Sequence, residues 1–148
     1  MKPRDLFLVL TLLLVNSGAR ADTADQEHVQ RKVVSRFYQA TDGMLEYCRG
    51  VPDAQWLAHA ATVRAFWLKY PEFEEKLRGS PHYPAVVADQ AQTQTAEEMG
   101  MDPHSHSNEC SYYQQLIQEY LDDPDGDLQA DIREMTETLA GRKPAEGP

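Results

Sequence analysis

The chain has 148 residues, with 14 Lys and Arg against 24 Asp and Glu, a formal charge of −10. That length accommodates one domain around a single core, and not two of ordinary size. The charge excludes nucleic acid as a natural ligand, because such binding rests on Lys and Arg neutralising phosphates, and here they are outnumbered and scattered.

At the N-terminus, Lys2 and Arg4 precede the apolar run Leu6 to Val15, and Ala19-Arg20-Ala21 closes it. A basic head, a short apolar centre and a small-x-small exit, in that order, predict a removable secretory signal. Ten helical residues reach about 15 Å, half the roughly 30 Å hydrocarbon core of a bilayer. No cysteine near the exit offers a thiol for lipid attachment, so no membrane span or anchor is expected after cleavage. The expected organisation is a signal peptide over 1–21, one helical domain over 22–141 and a disordered tail over 142–148. Cleavage would take away Lys2, Arg4, Arg20 and Asp5, so that 14 basic against 24 acidic residues become 11 against 23 and the charge falls to −12. The predicted location is periplasmic or secreted.

Export makes an oxidising environment the expected one, where Cys48 and Cys110, the only cysteines, permit one intramolecular pairing. Their rivals are two buried thiols or an intermolecular bridge. Closing a loop of this length is worth about 4 kcal/mol at most in the chain-entropy picture. No C-x-x-C spacing marks either cysteine as catalytic.

Apolar residues Val29, Val33, Phe37, Ala40, Met44 and Cys48 recur at steps of three and four and predict a helix from about Asp25 to Cys48. Gly50 and Pro52 break it, and Asp53 is the expected N-cap of a second helix carrying Trp56, Leu57, Ala60, Ala61, Val63, Trp67 and Leu68. Pro71 kinks or ends that helix near Tyr70. Phe73 and Leu77 fit a short helix closed by Gly79. A further helix starts at Ser80-Pro81 or Pro84 and runs to about Met99, with Gly100 at its C′ position; its apolar face, Tyr83, Val87 and Ala91, is thin. After a polar loop over 102–107, Cys110, Tyr113, Leu116, Ile117, Tyr120 and Leu121 predict another helix, and Leu128, Ile132, Met135 and Leu139 a last one. No segment alternates with period two. The expected fold is all-α, a small bundle of four to five helices tied by one disulfide.

The segment Met99-Gly-Met101-Asp-Pro-His104-Ser-His106 offers thioether and imidazole donors of the kind that suit copper. His104 and His106 can share an ion only where the backbone is extended, which a loop permits. The plain reading is a solvated loop.

The segment from Asp123 to Glu134 resembles an EF-hand calcium loop over twelve residues, with carboxylates at positions one, three, five, nine and twelve. The resemblance implies Asp123, Asp125 and Asp127 as monodentate ligands, Asp131 direct or through water, and Glu134 bidentate. It departs at position six, where Leu128 replaces the glycine of the sharp turn. Leu128 is in phase with Ile132, Met135 and Leu139, so the simpler expectation is a helix from Asp127 whose N-terminus the acidic run caps.

No H-E-x-x-H, G-x-S-x-G or glycine-rich phosphate loop is present, so no catalytic residue and no cofactor is predicted and the chain is read as a non-enzyme. The aromatic cluster Trp56, Phe66, Trp67, Tyr70 and Phe73 reads as core and rim. Its edge, with nearby carboxylates, is the expected contact surface for a protein partner: Tyr70, Glu72, Phe73, Glu74, Glu75, Tyr83, Glu97 and Glu98. An acidic exported domain attracts basic partners. The leading expectation is therefore a binding protein that engages or inhibits a basic hydrolase or toxin. The alternative is an exported metal-binding protein, with calcium at Asp123 to Glu134 or copper at Met99 to His106.

Overall fold

The computed structural model describes residues 23–91 and 99–142. The signal segment, the tail from residue 143, and Glu97 and Glu98 lie outside the described residues.

Helix α1 spans residues 23–47 and contains a π-helical turn at Gln39–Gly43 before its last α-helical turn, Met44–Tyr47. Thr41 is fully buried in that turn, and its hydroxyl donates to the Phe37 carbonyl one turn back. A side chain of this kind competes with the backbone ladder and loosens it locally. Gly43 suits the turn because a Cβ there would stand 3.2 Å from the Tyr38 carbonyl oxygen. The buried face is Val34, Phe37, Thr41, Met44 and Cys48. Val29, on the expected apolar face, is 46% exposed.

A single 3₁₀ turn, Cys48–Gly50, leads to α2, Asp53–Lys69. Pro52 occupies the N-cap position and Asp53 is the first helical residue, with no side-chain cap. The buried face of α2 is not the one its aliphatic residues predict. His59, Thr62, Val63, Phe66 and Trp67 face inward, while Leu57 and Leu68 are exposed. The large aromatics set the phase: burying Phe66 and Trp67 together turns Leu57 and Leu68 to solvent and carries His59 and Thr62 inward. The Thr62 hydroxyl is satisfied by the Ala58 carbonyl at 3.0 Å, whereas neither His59 nitrogen has a hydrogen-bond partner among the described residues.

Pro71 makes a corner, not a kink. The Tyr70 N–H closes α2 on the Phe66 carbonyl, and the Tyr70 carbonyl accepts from Glu74 N–H to open α3, Pro71–Arg78. Helix α4 follows at Tyr83–Ala91, α5 at Pro103–Asp122 and α6 at Asp127–Leu139. There are thus six helices among the described residues, where four or five were expected, with the short helix read from Phe73 and Leu77 counting as an element of its own, the eight residues Pro71–Arg78. No strand occurs among the described residues. No helix there is long and apolar enough to cross a membrane.

Helix α2 packs along α5, and α3 lies on α6. Between them Phe37, Phe66, Trp67, Tyr70, Phe73, Leu77, Ile117 and Ile132 form the main core. Phe37 meets Phe73 edge-on, with centroids 4.8 Å apart, and Phe66 meets Trp67 at the same distance, arrangements worth about 0.5–1.5 kcal/mol each beyond burial. A second cluster, Met44, Cys48, Val51 and Cys110, closes the other end of the bundle. There Cys48 and Cys110 form the disulfide, with their Cα atoms 5.9 Å apart.

Candidate functional site

Two aromatic members of the expected contact surface are interior. Tyr70 is 7% exposed and Phe73 1%. The Tyr70 hydroxyl donates to the Tyr120 carbonyl at 3.0 Å, and Phe73 packs on Phe37 and Trp67. Glu74 is bound to Arg78 at 2.9 Å, and Arg78 also holds Asp42 at 2.7 Å and donates to the Tyr83 hydroxyl. Only Glu72 and Glu75 of this group stand free in solvent as exposed carboxylates on α3. Two of its aromatic members, Tyr70 and Phe73, thus belong to the core, while Tyr83 is half-buried beside Arg78.

The twelve-residue acidic segment does not close into a loop. The chain turns at Gly126, with φ of +75°, and α6 runs straight from Asp127. Asp123 bonds the start of that helix with both carboxylate oxygens, accepting from Leu128 N–H at 3.0 Å and Gln129 N–H at 2.8 Å. Asp131 and Glu134 lie on the exposed side of α6. Among the described residues Asp123, Asp125, Asp127, Asp131 and Glu134 form no convergent ligand set. The leucine at position six decides this, since it anchors the helix where an EF-hand needs a bend.

The polar stretch after Met101 is helical rather than looped. Asp102 caps α5, its carboxylate accepting from the N–H groups of His104 and Ser105 and from the Ser105 hydroxyl. The accepted bonds hold the Asp102 carboxyl below its usual range, Ser105 making the largest contribution. Residues two apart on a helix do not face one another, so His104 and His106 diverge. His104 is exposed, and His106 is buried with Nε2 against the Tyr47 carbonyl at 2.9 Å.

What the fold does bring together is a groove between the end of α1 and the start of α5. Met44, Tyr47, Met99, Met101 and Tyr113 line it, with Glu46 and Glu109 beside them, around a cavity of about 530 Å³. That is within the size range of ligand sites, which are mostly apolar with a few placed polar groups. Its floor is the π-helical turn, through Gln39 and Gly43, and such turns recur at functional sites. The Tyr47 hydroxyl donates to Glu109 Oε2 at 2.7 Å and lies 3.3 Å from the Met101 sulfur. Burial, then the bond to Glu109, pushes the Tyr47 phenol up to about 12. A second cavity of about 500 Å³ between α3 and α6 includes Lys69, Glu72, Arg133, Glu137 and Arg142 in its lining. Its Lys69 is already spent on the Tyr120 and Leu121 carbonyls at the end of α5.

Sequence reasoning named Met99 and Met101 but missed Met44, Tyr47, Glu109 and Tyr113. The disulfide carries the missing signal. Once Cys48 is joined to Cys110, residues one turn away on each helix, Met44 and Tyr113, must be neighbours.

No protein-family model matches the chain, and no curated protein and no solved structure matches it either.

Proposed function

We propose that the chain is an exported, acidic helical binding protein that engages a basic protein partner, of the kind of a hydrolase or toxin that it inhibits, and acts by binding rather than by catalysis. The observation that carries this reading is the groove of Met44, Met99, Met101, Tyr47 and Tyr113 with Glu46 and Glu109 beside it. Methionine side chains adapt to the shape of an incoming apolar group, and methionine and tyrosine are enriched at protein interfaces. The carboxylates favour a partner whose apolar anchor is flanked by Lys or Arg. Among the described residues Glu46 is held only by an exposed pair with Arg49 at 2.7 Å, a bond weak enough in water to be exchanged for a partner's cation. The overall charge of −10 adds long-range attraction that speeds encounter and fades with salt.

The test is native co-purification from the exported fraction of the source cell, with wild type and Met44→Glu or Met101→Glu as bait. A basic protein retained by wild type and lost with both variants is the expected result, its association rate falling steeply from low to physiological salt. Equal retention by the variants removes the groove from the proposal. A salt-independent rate removes the electrostatic part.

One observation favours a second reading. Met44, Met99 and Met101 line a single groove, and thioethers select copper(I). Copper(I) held by these three methionines, without His104 or His106, is therefore the form in which metal binding is retained. Titration with copper(I) under a competing chelator separates the two readings, because only the second predicts saturation at one ion per chain.

A further inference from the structure

Next to the groove, the fold assembles three metal-ligating side chains that the proposed binding function does not use. Ligand atoms of Cys48, Cys110 and His106 all lie within 4.8 Å of one another, and all three residues are buried. They come from the 3₁₀ turn that follows α1 and the first two turns of α5. We propose that the reduced chain binds one zinc(II) ion through the Cys48 and Cys110 thiolates and His106, and that formation of the disulfide releases the ion.

The geometry fits. Tetrahedral zinc, at about 2.3 Å from sulfur and 2.0–2.1 Å from nitrogen, sets its ligand atoms roughly 3.4–3.8 Å apart, inside the spread of this cluster. Reduction lets the two sulfurs part to that spacing, with a fourth position left for water. His106 is already oriented. A carbonyl oxygen can only accept, so the 2.9 Å contact between Nε2 and the Tyr47 carbonyl places the ring proton on Nε2 and leaves the lone pair on Nδ1. A ligating histidine held through its other nitrogen by a backbone carbonyl is the usual outer support of a zinc site. Tyr47 holds the imidazole from the side as well, ring against ring at 4.9 Å. Gly50 adds no side chain at the imidazole edge, where a Cβ would come within 3.4 Å of Cε1 and 3.7 Å of Nδ1.

The electrons balance with a dithiol as reductant. The Cys48–Cys110 bond takes up two electrons and two protons to give two thiols, while the dithiol closes to its cyclic disulfide. Zinc(II) then displaces the two thiol protons. In reverse, an oxidising disulfide accepts the electron pair, the Cys48–Cys110 bond re-forms and zinc departs. The two buried sulfurs are thus an ion site in one redox state and a covalent tie in the other. This inference is independent of the groove, and either can fail alone.

The experiment uses the full chain, reduced by a phosphine under anaerobic conditions and titrated with zinc(II) against a chromogenic chelator, with helicity followed by circular dichroism. One zinc per reduced chain is expected, with no comparable binding by the oxidised chain. His106→Gln should weaken zinc binding by at least tenfold, at or beyond the loss typical of an outer-shell change, while His104→Gln should leave it unchanged. His104 is the internal control, because two cysteines in an unfolded chain would recruit either histidine. Should reduction melt the helices, zinc is expected to restore them in wild type and not in His106→Gln. Equal affinity of the oxidised and reduced chains, equal effects of the two histidine variants, or no recovery of helicity by a melted wild type would each overturn the proposal.

Discussion

His59 gives the fold a calculable sensitivity to acid. It sits in the middle of α2, 1% exposed, with no partner at Nδ1 or Nε2 among the described residues, and burial pushes its imidazole below the usual range. A buried imidazole without an acceptor resists protonation, whereas the unfolded chain protonates near pH 6.5. Between those values the unfolded state binds more protons, so stability rises with pH and is lost as the pH falls below about 6.5. Protonation of the unfolded chain by itself caps that loss at about 1.4 kcal/mol at pH 5.5. For a domain of this size that corresponds to roughly 5 °C in Tm. Replacing His59 by Leu, of similar volume, removes the proton site and also the cost of burying an unpaired polar group, about 1–3 kcal/mol. The variant should therefore be more stable than wild type at pH 7.5, with an advantage that grows on going to pH 5.5 by no more than about 1.4 kcal/mol. Urea melts of both proteins at three or four pH values measure the difference, in which the many carboxylates cancel. A gap between the two curves that stays constant with pH would refute the reasoning.

Asp123→Ala should cost about 1–2 kcal/mol, because both carboxylate oxygens cap the first turn of α6. Added calcium should raise the Tm of neither form, and a calcium-dependent rise lost in Asp123→Ala would contradict the cap. Glu109→Gln should bring the Tyr47 phenol down from about 12 while burial keeps it above its ordinary value, as read by tyrosinate absorbance with Tyr47→Phe as the subtraction. In wild type the unfolded chain loses that proton near pH 10 and the folded chain holds it to about 12. Stability should accordingly fall as pH rises through that window, and less so in Glu109→Gln; an unchanged tyrosine titration would contradict the hydrogen bond.

Much of the fold was legible from residue order alone. The three-and-four spacing of Phe37, Met44 and Cys48, the breaks at Gly50-Pro52 and Pro71, and the in-phase run Leu128, Ile132, Met135 and Leu139 are local properties, and helices are made by local hydrogen bonds. The straight helix through the second half of the acidic segment was legible from Leu128, which is in phase with Ile132, Met135 and Leu139. Less was legible where a helix could rotate. Leu57 and Leu68 read as core by hydropathy, yet the volume of Phe66 and Trp67 fixed the buried face of α2, and periodicity does not weigh volumes. Asp102 hid the start of α5 in the same way: a cap with Pro103 behind it is a helix signal that the polar composition of 102–107 concealed.

By itself the sequence determined the helical class, the positions of most helix ends, the unique cysteine pairing and the acidity. Tertiary structure alone decided which faces meet. It buried Tyr70 and Phe73 of the expected contact surface, and it set Met44, Tyr47, Met101 and Glu109 around one groove and His106 beside the disulfide. The physical reason is that helix formation is settled within a few residues along the chain, while a site is a coincidence of side chains far apart in sequence. Which coincidences arise depends on how large side chains fill a shared interior.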